Sequence, residues 1–179
     1  MANPDQMRPM RVRTRRVNSP DDRVRYIARN ILRGRQSPKV HAFAAMALTD
    51  YCGDKWCVEP RDWLGEVSAL SEHIKNNVRY TLDTFGMDTY RTPDRTLELA
   101  IGDCDDMTAL AGAVLQAVGY PVWIKIIQTR GNEDFHHIYV LTAVPPQNPK
   151  KYIAVDPTQN FGCGWEPGDI VRQRIFSLS

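Results

Sequence analysis

The sequence predicts an α+β fold: N-terminal helices, then a helix packed on an antiparallel sheet of at least three strands. Two observations carry this. Apolar residues recur at steps of three and four as far as residue 118, and beyond Pro121 the step falls to two. The three segments with the shorter step are joined by brief turn-rich pieces, and short connections favour antiparallel neighbours. At 179 residues, 42% hydrophobic and 25% charged, the chain has the make-up of one globular domain, which excludes a fibrous repeat and wholesale disorder.

The first helix has a strong start: Ser19 as cap, Pro20 at the first helical position, and Asp21 and Asp22 where they complement the dipole. Val24, Ile27, Ala28 and Ile31 form its apolar face, and Gly34 is the expected stop. Ser37-Pro38 repeats the start signal for a second helix through Leu48, whose small apolar side chains suit burial on more than one side. Tyr51 to Pro60 reads as a loop. In the third helix Trp63, Val67, Leu70, Ile74 and Val78 draw a single stripe. Residues 81–91 are a loop, and Thr92-Pro93-Asp94 opens a short helical turn ending near Leu99.

Ile101-Gly102-Asp103 introduces the central helix, with Met107, Leu110, Ala111, Val114, Leu115 and Val118 inward. Gly119 closes it, and Pro121 forbids continuation. Strands are expected over 122–128, 135–143 and 151–155. The domain plan is a flexible basic arm over 1–18 and one domain over 19–179. That domain comprises a helical part (19–100), the central helix and sheet (101–160) and a C-terminal tail (161–179).

Residues 1–40 hold eleven Lys/Arg against three Asp/Glu, and residues 41–179 hold twelve against eighteen. A basic arm on an acidic body suits contact with nucleic acid or an acidic partner, or folding back onto its own body; a solvated leader is the plainer alternative. No run approaches the ~18 apolar residues of a membrane-spanning helix, and no apolar segment follows the charged N-terminus as in a secretory signal. The expectation is a soluble, cytoplasmic protein without a membrane partner. Cys52 and Cys57 have four residues between them, which is not the spacing of a redox or zinc pair, and neither His41 nor His73 completes a ligand set. Cys52, Cys57 and Cys163 are expected as buried free thiols, with no metal and no cofactor.

Cys104 differs from the other cysteines. It lies in G-D-C-D-D at the first turn of the central helix, His136 and His137 begin the second strand, and Asp156 ends the third. Acyl transfer needs a nucleophile, a base and a group that orients the base. A thiol at a helix N-terminus feels the positive end of the dipole, so its pKa is expected to fall, and the same N–H groups suit an oxyanion. Asp103, Asp105 and Asp106 are helix-start residues first, and they oppose a thiolate by repulsion, which a nearby cation would offset.

The run from Ser71 to Thr158 resembles the transglutaminase-like superfamily, whose core is related to papain-type cysteine peptidases. The matching pieces are N-N-V-R-Y, Y-R-T-P-D-R-T-L, G-D-C-D-D-M-T-A-L-A, G-Y-P-V, H-H-I-Y-V and V-D-P-T. The resemblance implies a Cys-His-Asp triad carried onto Cys104, one histidine and Asp156. His137 fits the family's register of histidine, aliphatic, aromatic, aliphatic; His136 does not. It implies a cysteine peptidase or amidase acting on a peptide or protein substrate, with amine transfer as the variant outcome, or else a non-catalytic assembly protein that keeps the fold. Asn77 and Tyr80 are candidate oxyanion donors, Trp165 a candidate cleft residue, and the helices before Ser71 are expected to shape access.

Overall fold

The computed structural model describes residues 19–83 and 89–178; the basic arm over 1–18 lies outside the described residues. The helices are α1 (Pro20–Gly34), α2 (Pro38–Leu48), α3 (Trp63–Asn77), α4 (Pro93–Leu99) and α5 (Cys104–Ala117). Three of the starts are capped by the residue the sequence nominates: Ser19 accepts from the Asp22 amide, Ser37 from the Lys39 amide and Thr92 from the Arg95 amide. The main sheet contains β5 (Val122–Thr129), β6 (His137–Val144), β7 (Lys151–Val155) and β8 (Ile170–Ser177) in the order β7-β6-β5-β8, every pair antiparallel.

α5 is the axis of the domain. Every residue from Asp105 to Leu115 is buried, because the helix contacts α1, α2, α3 and α4 as well as β5 and β6. Ile124, Ile126, Ile138, Val140, Ile153 and Val155 of the sheet join Ile27, Ile31, Val67, Leu70 and Ile74 of the helices in one core around it. Each such side chain contributes about 1.5–3 kcal/mol on leaving water. Alternate sheet residues, Ile127, Tyr139, Leu141 and Ala154, form a smaller apolar cluster.

Four expectations need correction. The tail over 161–179 contains β8, an edge strand paired to β5 by its backbone. Its side chains are largely exposed and include Arg172 and Arg174, so it lacks the apolar alternation that marks a half-buried strand, and the charges blunt the edge. The segment Tyr51–Pro60 is not a plain loop: β1 (Tyr51–Cys52) and β2 (Lys55–Trp56) form a hairpin closed by a Cys52–Cys57 disulfide. Gly53, at φ +79°, makes the turn that brings these exposed cysteines together. α2 buries only Val40 and Ala44 and leaves Ala42, Ala45 and Met46 exposed, since it packs on α5 and α3 from the outside. Finally, Val78 caps α3 rather than extending it, and Arg79–Tyr80 (β3) pairs in parallel with Ile101–Gly102 (β4).

Gly112 lets α1 lie close to α5. A Cβ placed there would stand 2.5 Å from Ile31 Cδ1, and Ile31 is fully buried with nowhere to retreat. Overpacking of this kind costs about 1–3 kcal/mol. Gly112→Ala is therefore expected to lower the unfolding free energy by that amount, read as a lower urea midpoint at unchanged slope; an unchanged midpoint would show that the α1–α5 contact is loose.

Candidate active site

The first turn of α5 is built around buried acids. Asp103 caps the helix, its Oδ1 accepting from the amides of Asp105 (2.9 Å) and Asp106 (3.1 Å). Cys104 is the first helical residue and only partly buried. Asp106 is fully buried; it accepts from the Arg91 amide at 2.7 Å and is paired with the Arg91 guanidinium. Asp105 is almost as deeply buried and accepts from Arg23 Nε of α1 at 2.7 Å. The same guanidinium reaches the candidate nucleophile: Arg23 Nη2 donates to Cys104 Sγ at 3.3 Å.

His137 and Asp156 come together across adjacent strand ends, with Nε2 and Oδ2 2.6 Å apart. Asp156 is held from its other oxygen: Oδ1 accepts from the Thr158 amide (3.1 Å) and hydroxyl (2.6 Å), an Asx-type turn in which Pro157 fixes the intervening φ. Oδ2 is thus left for the imidazole. With Nε2–H donating to Asp156, Nδ1 is the basic nitrogen, and it makes no hydrogen bond among the described residues. Thr108, one turn along α5 from Cys104, donates its hydroxyl to the Ile138 carbonyl at 3.0 Å and pins the start of β6 to the helix.

The other histidine turns elsewhere. His136 is exposed, with Nε2 3.4 Å from Thr129 Oγ1 and 3.5 Å from Asn132 Nδ2. Asn77 folds back on its own helix, donating Nδ2 to the His73 carbonyl at 2.8 Å. Tyr80 stays within electrostatic range of Cys104, Asp103 and Asp156, which with burial raise its phenol pKa. Trp165 stacks on Phe161 with ring centroids 4.1 Å apart, and both line a shallow cleft with Asp156, Ser71, Gln159 and Cys163. Among the described residues no group of three or more His, Cys, Asp or Glu is disposed to hold a metal ion.

The electrostatics reverse one expectation. Burial pushes the Cys104 thiol up to about 12, Asp105 adds to this, Arg23 opposes it, and Asp103 and Asp156 raise it further. The helix dipole that favours a thiolate is outweighed by poor solvation and three nearby carboxylates. Burial, with help from Asp105 and Asp106, also pushes Asp103 up to about 7 against the effect of its backbone bonds. Among the described residues no hydrogen bond joins Sγ to either imidazole; its partner is Arg23.

Arg23, Arg91 and Thr158 are the residues sequence reasoning missed. Thr158 had a local signal, since a hydroxyl residue two places after Asp closes an Asx turn. Arg23 had none, being 81 positions from Cys104.

The family model of the transglutaminase-like superfamily matches residues 54–157. None of the curated protein sequences matches the chain. Among solved structures, one described as a candidate cysteine protease from Cytophaga hutchinsonii aligns with a TM-score of 0.52 at 19% identity, over 90% of this chain and 53% of that one. A candidate protease from Parabacteroides distasonis aligns with a TM-score of 0.49 at 19% identity, over 79% of this chain and 30% of that one. A structure described as a TGase gives 0.45 at 13% identity, over 83% and 35%. The chain thus spans about half the length of the first of these structures, and at such identities the likeness is one of fold. With the family model covering more than half of its residues, the chain belongs to the transglutaminase-like superfamily.

Proposed function

We propose that the protein is a cysteine-dependent acyl-transfer enzyme acting on peptide or amide bonds, with water as the usual acceptor. The observation that carries this reading is the His137–Asp156 pair, 2.6 Å apart and oriented by Thr158, in the electrostatic neighbourhood of a cysteine at a helix N-terminus. Cys104 Sγ attacks the substrate carbonyl while His137 Nδ1 takes the thiol proton. Asp156 holds the imidazole in the tautomer that leaves Nδ1 basic, and it stabilises the imidazolium that forms. The imidazolium then protonates the departing amine as the C–N bond breaks, leaving a thioester on Cys104. Water attacks the thioester, gives its proton to His137, and releases the acid and the thiol. An amine in place of water makes the same intermediate a transfer reaction.

Because burial holds the resting thiol neutral near pH 7, its proton passes to His137 only once substrate occupies the site. The substrate must draw the imidazole of His137 in toward the sulfur, a tightening that catalytic hydrogen bonds of unliganded enzymes commonly require.

A non-catalytic assembly role is favoured by a single observation: Sγ rests on a guanidinium and not on an imidazole. In that reading the basic arm contacts nucleic acid or an acidic partner.

Digesting a mixture of unfolded proteins with the full chain, and mapping new termini by mass spectrometry, separates the two readings. Cleavage is expected to vanish in Cys104→Ala and to fall about 10²–10⁴-fold in His137→Ala and Asp156→Asn. Cleavage that survives Cys104→Ala would sink the enzyme assignment, and incorporation of a tagged primary amine would redirect it to transfer. The raised thiol pKa gives a second expectation. A neutral thiol far below its pKa gains thiolate about tenfold per pH unit, so iodoacetamide labelling of Cys104 without substrate should climb steadily from about pH 7 to 9. A plateau in that range would mean the thiol is already ionised.

A further inference from the structure

Arg23 is the fourth residue of α1, outside the residues 54–157 that the family model matches. Its guanidinium nevertheless meets the working end of α5 twice, through Nε to Asp105 Oδ1 at 2.7 Å and through Nη2 to Cys104 Sγ at 3.3 Å. The fork of an arginine suits this division, since adjacent N–H groups in one rigid plane serve two acceptors at once. Asp105, with its side chain only 5% exposed, acts as the anchor that keeps the second arm on the sulfur.

The surroundings explain why a fixed cation is needed there. Sγ lies in the field of Asp105 and Asp103 at its own helix start and of Asp156 beyond β7, and the phenol of Tyr80 from β3 interacts electrostatically with it. Tyr90 borders Arg23 itself. His137 from β6 becomes cationic on taking the thiol proton, but its charge is matched by Asp156. The sulfur anion would then be left among carboxylates, and a guanidinium is the side chain that stays charged at any working pH.

We propose that Arg23 is a catalytic residue of this site: locked in place by Asp105, its guanidinium holds the Cys104 sulfur as a thiolate once the proton has left. This makes α1 part of the active centre and not only a wall around it. The assignment rests on the acyl-transfer reading for its purpose, but its measurement does not.

The test follows Cys104 thiolate in the full chain by ultraviolet absorbance and by site-resolved iodoacetamide labelling, with Cys163 as the internal reference. Wild type is set beside Arg23→Gln, Arg23→Lys, Asp105→Asn and the double variant Arg23→Gln/Asp105→Asn. Arg23→Gln should move the titration up by about one pH unit, a roughly tenfold loss of labelling at a fixed pH, while Cys163 labels as before. Arg23→Lys, which keeps the charge, should recover most of that loss. A folded Arg23→Gln protein that titrates and labels within twofold of wild type overturns the proposal. If removing Arg23 alone prevents folding, the decisive pair is Asp105→Asn against the double variant. Slower labelling in the double supports the proposal, and equal or faster labelling overturns it. Thiolate formation is read without turnover, so a wild-type chain that cleaves nothing but still shifts with Arg23 would defeat the enzyme reading alone. Normal cleavage with an unmoved titration would defeat the role of Arg23 alone.

Discussion

Four consecutive residues, Asp103-Cys104-Asp105-Asp106, begin a helix whose start is sunk in the protein, and three of them are acids. A carboxylate away from water is tolerated only when its oxygens are bonded and its charge is matched. Each acid here is satisfied differently. Asp103 uses helix amides that would otherwise lack partners, Asp105 takes Arg23 from α1, and Asp106 takes the backbone and guanidinium of Arg91. Removing one partner of such a buried pair costs about 3–5 kcal/mol. The helical half of the domain is therefore tied to the reactive end of α5 by charge as well as by apolar packing.

The sheet supplies the complementary half. Antiparallel pairing of β6 with β7 sets Val140 opposite Val155, the last residue of β7, so the start of one strand and the first residue beyond the other lie at the same rim. His137 and Asp156 occupy those positions, and the Asp-Pro-Thr turn aims the carboxylate. Thr108 then sets the depth at which this rim meets α5. Within this frame His137 and Asp156 are joined to one another, whereas the Cys104 sulfur is held by a different element, α1.

This division has a chemical meaning. A thiol whose pKa burial has raised is a poor thiolate, and in the proposed reaction an imidazole already aligned by a carboxylate accepts the proton when a substrate carbonyl arrives. Asp105, Asp106 and Asp156 outnumber Arg23 and Arg91 at this end of the domain, so in the proposed reaction the placement of the cations decides how costly a thiolate is. The exposed Cys52–Cys57 hairpin lies on the surface apart from this chemistry, and a bridge of that kind persists where the surroundings are oxidising.

Local rules carried much of this outline. Ser-Pro and Thr-Pro starts, the stripe of α3, the switch of period after Gly119 and the three central strands are set by propensity and spacing, which neighbouring residues enforce without the rest of the chain. The same is true of Cys104 at a helix start and of His137 and Asp156 at strand ends. β8 was illegible because an exposed edge strand is defined by backbone bonds and carries no apolar alternation. The Cys52–Cys57 bridge was misread because a single glycine turn, and not cysteine spacing, brings the sulfurs together. Arg23, one of eleven cations in the first forty residues, became distinct only when packing of α1 through Gly112 delivered it to Cys104. The depressed thiol pKa expected of a helix N-terminus failed for a related reason: solvation and the sum of surrounding charges belong to the folded volume, and no stretch of sequence contains them.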